Sequence, residues 1–228
     1  MPWLVHAYTA SSAVLAFLAL DATAKGDYRT AFLWLAVTVV VDASDGFLAR
    51  TFRVRERLPH FNGARLDDIV DYLTFVFVPL FLLVHAGLLR ETWGVPAAAG
   101  ALLASAYGFS REDAKTTDHF FTGFPSYWNI VALYMVALEL APSINAAFIV
   151  AFTALVFVPI GYVYPTRTPT LRTLTLSLSV AWGIAMAVII WQLPRPSPVL
   201  VYGSLTFPVY YGVLSVVLHG RRQRPGKV

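Results

Sequence analysis

Four aspartates in one stretch have spacings that can do chemistry. Asp42 and Asp45 are three residues apart, and Asp67 and Asp71 are four apart. Residues three or four apart share one face of a helix, so each pair presents two carboxylates in one direction. Asp68 is turned about 100° from Asp67 and need not join them. Every nearby ligand atom is a hard oxygen, with no Cys in the chain and no His at ligand spacing. Such a donor set suits Mg²⁺, Mn²⁺ or Ca²⁺. Four carboxylates match the charge of two divalent ions, and a pair of such ions is a recurring clamp in phosphoryl chemistry. Gly46 beside Asp45, with Ala49 one turn on, would let a large ligand approach the backbone. Arg50 offers a forked phosphate donor. Gly63 lies one turn before Asp67, where bulk would obstruct a ligand. Small residues also serve plain helix packing, and both readings of the glycines stand at this point.

The surrounding sequence is that of a membrane protein. Of 228 residues, 57% are hydrophobic and only 13% are charged, and mean hydropathy is +0.64. Soluble chains carry roughly a quarter charged residues, so a water-soluble enzyme and a disordered chain are excluded. Absence of Cys excludes a disulfide framework, an iron–sulfur cluster and a thiolate zinc site. Apolar segments at 3–24, 28–50, 65–89, 93–109, 125–141, 143–164, 172–193 and 197–219 predict an all-α polytopic membrane bundle of about eight transmembrane helices. They leave no room for a soluble domain, so 1–228 reads as a single membrane domain. No Lys or Arg precedes the first apolar run, which favours a spanning helix over a cleaved leader.

Cation placement orients the bundle. An even number of spans puts both termini on one side. That side holds Arg50, Arg53, Arg55, Arg57 and Arg65, then Arg111 and Lys115, then Arg167 and Arg172, then Arg221, Arg222, Arg224 and Lys227. The other side holds only Lys25, Arg29, Arg90 and Arg195. By the positive-inside rule the richer side is cytoplasmic. The net charge of +4 is thereby explained without a nucleic-acid partner. The aspartates fall at the cytoplasmic ends of spans two and three. An unpaired Asp deep in a spanning helix costs about 2.5–3.5 kcal/mol, and four approach 10 kcal/mol, less near the interface. A bound cation would offset that cost. A carboxylate relay in a transporter is the competing use of such residues, although transport favours acids at mid-membrane.

These residues resemble the signature of the CDP-alcohol phosphotransferase family, D-x-x-D-G-x-x-A-R followed by G-x-x-x-D-x-x-x-D. Asp42, Asp45, Gly46, Ala49, Arg50, Gly63, Asp67 and Asp71 match all eight fixed positions. The twelve residues between Arg50 and Gly63 form a longer spacer than most of the family has. That spacer, the segment DHFFTGFPSYWN (118–129) and the chain length are similar to the bacterial branch that makes phosphatidylcholine. The resemblance implies an enzyme of the bacterial inner membrane that moves the phosphatidyl group of CDP-diacylglycerol onto choline, giving phosphatidylcholine and CMP. It implies Asp42, Asp45, Asp67 and Asp71 as ligands of Mn²⁺ or Mg²⁺, two ions in all, with Asp71 also the general base. It places Asp42, Asp45, Gly46, Ala49, Arg50, Gly63 and Asp67 around CDP-diacylglycerol. Serine, inositol phosphate or glycerol phosphate are the alternative acceptors within the family.

Choline is a quaternary ammonium that aromatic faces attract by cation–π contact, about 0.5–2 kcal/mol each. Tyr107, Phe120, Phe121, Tyr127 and Trp128 gather near one loop, with Asp118 and Asn129 among them. Tyr107, Asp118, Tyr127, Trp128 and Asn129 are the choline candidates, against the alternative that such aromatics form an interfacial belt. Arg111 and Lys115 are candidates for the lipid phosphate. Small-residue helix faces are compatible with a homodimer.

Overall fold

The computed structural model describes residues 1–223 except 90, 91, 115, 117, 119 and 166. Among the described residues, five helices are long and apolar enough to cross a membrane: α1 (Pro2–Ala24), α2 (Tyr28–Thr51), α4 (Gly63–His85), α8 (Arg172–Gln192) and α9 (Pro198–Arg222). Between them lie the four-residue α3 (Val54–Arg57) and three shorter helices, α5 (Gly94–Ser110), α6 (Trp128–Leu138) and α7 (Pro142–Phe157). Each of the eight expected segments coincides with one of the eight longer helices. The 11 residues of α6 rise only about 16 Å, short of the roughly 30 Å apolar core.

Local chemistry sets the boundaries. The turn between α1 and α2 uses Gly26 at φ +75°, and the Asp27 carboxylate then caps α2 by accepting from the Thr30 N–H at 3.0 Å. Asn62 caps α4 in the same way, accepting from Arg65 N–H. The sixth expected segment ran to 164, but α7 stops at Phe157. Val158 precedes Pro159, and the proline ring drives it to an extended conformation, ψ 121°. The chain beyond then forms a strand rather than more helix.

That strand is the feature outside the expected all-helical pattern. β1 (Phe120–Thr122) pairs antiparallel with β2 (Gly161–Val163), Phe121 opposite Tyr162. A second departure lies inside α4, where residues Tyr72–Phe77 form a π-helical turn. There the Val78 N–H donates to the Leu73 carbonyl, five residues back. Pro79 follows directly and has no N–H to give a regular helix, so the wide turn falls where the ordinary ladder would be broken anyway. The core gathers Phe32 and Leu35 of α2, Val76, Leu80 and Leu83 of α4, Trp128 and Met135 of α6, and Ile149 of α7. α1 packs along α2 and also against α4, while α2 meets α4 at the wide turn.

Candidate active site

The two acid-bearing helices converge. One ligand oxygen from each of Asp42, Asp67 and Asp71 lies within 4.8 Å of the other two. Like charges this close repel strongly, and three hard oxygens aimed at one point fit a hard divalent cation. Asp45, the fourth expected ligand, stands outside this group of three. It is 8% exposed and accepts a 2.8 Å hydrogen bond from the Thr9 hydroxyl of α1. One residue earlier on each helix, Tyr8 and Ser44 share a 2.8 Å hydrogen bond. The first helix thus fixes the inner face of α2 beside the acidic group.

All four aspartates open into a cleft of about 1240 Å³, together with Gly46, Arg50 and also Asp68. Asp68, turned from Asp67, lines the cleft without joining the close group of three. A Cβ on Gly46 would meet Arg50 Nη1 at 3.4 Å, so the guanidinium lies over the glycine. Ala49 and Gly63 are not among the lining residues. At Gly63 an added Cβ would come 2.7 Å from His6 Cε1. Its smallness is required by the α1 imidazole, whose ring is in turn packed on Phe61 at 4.3 Å.

Of the five choline candidates, only Tyr127 lines the cleft. Its hydroxyl lies within the electrostatic reach of the Asp42 and Asp71 carboxylates. Trp128 is fully buried in the core, its indole N–H donating to Ser105 Oγ at 2.8 Å. Asn129 is buried, its side-chain oxygen accepting from Ile130 N–H. Tyr107 is 51% exposed and packs on Phe157 at 5.3 Å. Asp118 is held by Arg222 and Thr116. Arg111 lines the cleft, but both prongs of its fork are taken by Asp113 at 2.7 Å. That pairing holds the Asp113 carboxyl below its ordinary range. Lys115 lies outside the described residues.

Aromatic side chains line the same cleft as the acids. Phe121, Phe124, Tyr127 and Tyr164 line it, and the Phe121 and Tyr164 rings sit 4.8 Å apart. Tyr164 and the α1 residues His6 and Thr9 escaped sequence reasoning. Thr9 lies 36 residues before Asp45, His6 lies 57 before Gly63 and Tyr164 lies 43 after Phe121, and no local periodicity links them.

Comparison with known proteins places the chain. It is 40% identical to a phosphatidylcholine synthase of Legionella pneumophila subsp. pneumophila over 220 residues, covering 93% of this chain and 86% of that one. It is 37% identical over 198 residues to the phosphatidylcholine synthase of Pseudomonas aeruginosa, covering 87% and 83%. A third, from Rhizobium meliloti, is 34% identical over 216 residues, covering 94% and 89%. The chain belongs to the phosphatidylcholine synthase family. No family model matches it. In this family member the eight signature residues stand on the two helices that build the acidic end of the cleft.

Proposed function

We propose that this protein transfers the phosphatidyl group of CDP-diacylglycerol to choline, releasing CMP. The observation that carries the reading is the meeting of Asp42, Asp67 and Asp71 oxygens within 4.8 Å, in a cleft that Phe121, Phe124, Tyr127 and Tyr164 also line. Membership of the phosphatidylcholine synthase family supports the choice of choline. The bulk of the cation excess on one side of the bundle supports a cytoplasmic-side site in the inner membrane, with eight spans and both termini inside.

Asp42, Asp67 and Asp71 would hold Mn²⁺ or Mg²⁺, with Asp45 beside them. A hard divalent ion there supplies charge neutralisation for the pyrophosphate and the departing CMP. Thr9 steadies Asp45, so that this carboxylate faces the cleft in one rotamer. Arg50 binds a phosphate oxygen next to Gly46, where the absence of a side chain leaves room. Asp71 takes the proton of the choline hydroxyl. The hydroxyl oxygen forms a bond to the phosphorus that carries diacylglycerol, and the bond from that phosphorus to the CMP oxygen breaks. Tyr127 lines the cleft with Phe121 and Tyr164, and their aromatic faces suit the quaternary ammonium of a ligand whose hydroxyl meets Asp71.

The test is purified protein in detergent with CDP-diacylglycerol, a divalent ion and each alcohol in turn. CMP release with choline alone is the expected result, abolished by exhaustive chelation. Release with serine, inositol phosphate or glycerol phosphate would overturn the acceptor. Release that survives chelation would overturn the role given to the aspartates.

A further inference from the structure

The last helix reaches the cleft through the strand pair. Among the described residues β2 pairs with β1 on one side only, so its outer edge leaves the Gly161 N–H and both backbone groups of Val163 to be satisfied elsewhere. One face of α9 meets that need. Tyr211 Oη donates to the Val163 carbonyl at 3.0 Å. Val163 N–H donates to Ser215 Oγ at 3.1 Å. Gly161 N–H donates to His219 Nδ1 at 3.1 Å. Residues 211, 215 and 219 are spaced by four, so they stack along one side of the helix. One turn further, Arg222 grips Asp118 with both prongs, Nε to Oδ2 at 2.7 Å and Nη2 to Oδ1 at 2.9 Å. Its guanidinium also lies over the Phe120 ring, 4.5 Å from the centroid. Leu214 and Leu218 bury the apolar side of this contact against Phe120 and Val163. Gly161 allows the approach, since a Cβ there would fall 2.7 Å from Arg222 Nη1.

What the strands carry gives the clamp a purpose. Phe121 is on β1 and Tyr164 directly follows β2, and their rings meet at 4.8 Å in the cleft wall. Fixing the strands therefore fixes the two rings. We propose that His219 and Arg222, with Ser215 between them and Tyr211, are positioning residues for the acceptor: they clamp the strand pair so that Phe121 and Tyr164 present a preformed face to a quaternary ammonium. This rests on the choline reading above. None of the four is among the residues lining the cleft. Loosening the clamp therefore weakens acceptor binding and spares the chemical step, the pattern of a KM effect without a kcat effect.

Full-length protein carrying Arg222→Gln is compared with the charge-exchanged R222D/D118R double variant. A partly exposed forked pair contributes up to about 1 kcal/mol, so Arg222→Gln raises the choline KM about fivefold. Its kcat and its KM for CDP-diacylglycerol stay within about twofold, and the exchange recovers most of the loss. Amide hydrogen exchange at 120–122 and 161–163 speeds up in Arg222→Gln and slows again in the double variant. Ser215→Ala, which removes one bond to Val163, gives the same KM pattern in case Arg222→Gln does not fold. An unchanged choline KM in both single variants, or kcat and both KM values moving together, overturns the proposal. Should the unaltered protein release no CMP with choline, the acceptor reading fails. The clamp is then judged by exchange alone, and equal rates in Arg222→Gln and the unaltered protein would refute it.

Discussion

Replacing Gly63 by Ala separates two accounts of why that position is glycine. If a bound nucleotide needs the space, the alanine methyl meets the ligand and His6 is irrelevant. In the structure the methyl carbon would instead lie 2.7 Å from His6 Cε1 and 3.2 Å from Nδ1, well inside ordinary contact. The imidazole has little room to yield. It is 8% exposed and wedged between Phe61 at 4.3 Å and Trp3 at 6.1 Å. Overpacking of this kind costs about 1–3 kcal/mol. Against that, the position has no left-handed φ, and an alanine that fits recovers about 0.4–1 kcal/mol from the unfolded chain. The net expectation for Gly63→Ala is a loss of about 1–2 kcal/mol, a fall of roughly 2–8 °C in the unfolding midpoint for a chain of this size. In a His6→Ala background the clash is gone and only the second effect remains. Gly63→Ala then raises the midpoint slightly, a reversal of sign. Thermal unfolding in detergent of the two single variants and the double variant reads this cycle directly. If Gly63→Ala is equally harmful with and without His6, the packing account is wrong. A raised KM for CDP-diacylglycerol at an unchanged midpoint would return Gly63 to the ligand.

Three further outcomes follow from the same geometry. Asp71→Asn keeps the shape of the acid and cannot take a proton, so turnover falls by about 10²–10⁴-fold; full CMP release from the purified variant would remove the general-base role. Thr9→Val deletes the 2.8 Å hydrogen bond to buried Asp45 and lowers kcat/KM about tenfold, whereas Thr9→Ser retains it; equal activity of the two in a CMP-release assay would refute the contribution of α1. Asp118 is held below its ordinary carboxyl pKa by the Thr116 hydroxyl first and then by Arg222. A depressed acid stabilises the fold fully above the unfolded value, near 3.8, and loses that contribution as pH falls through the folded one. The unfolding midpoint of Asp118→Asn therefore lies below that of the unaltered protein at pH 5–7, and the gap closes as pH drops below 3.8; a constant gap would contradict the pairing.

Legibility of the site in the sequence was uneven for a physical reason. The acid pairs and their helix faces are local facts: three or four residues bring side chains around to one direction whatever the rest of the fold does. The apolar lengths and the cation asymmetry are local in the same sense, and the eight expected segments match helices. The aromatic wall was only half visible. Tyr127 and Phe121 stood in a conspicuous cluster, but Trp128 in the same cluster is core, because it opens the helix while Tyr127 before it has a non-helical backbone. Tyr164 joins Phe121 across more than forty residues through a strand pair too short to leave a period-two pattern.

By itself the chain's order of residues determined a membrane bundle, the polar turn at Lys25–Asp27 between its first two helices, and two helix faces bearing carboxylates beside Gly46 and Arg50. Tertiary structure decided which acids meet. Asp42, Asp67 and Asp71 close on one point while Asp45 turns to Thr9, because α1 packs against α2 and α4 together. It also decided that His6 occupies the space beside Gly63 and that α9 holds the strands behind the aromatic wall. Backbone geometry repeats every few residues and is written locally. The approach of distant segments depends on how whole helices pack, and no short stretch of sequence contains that information.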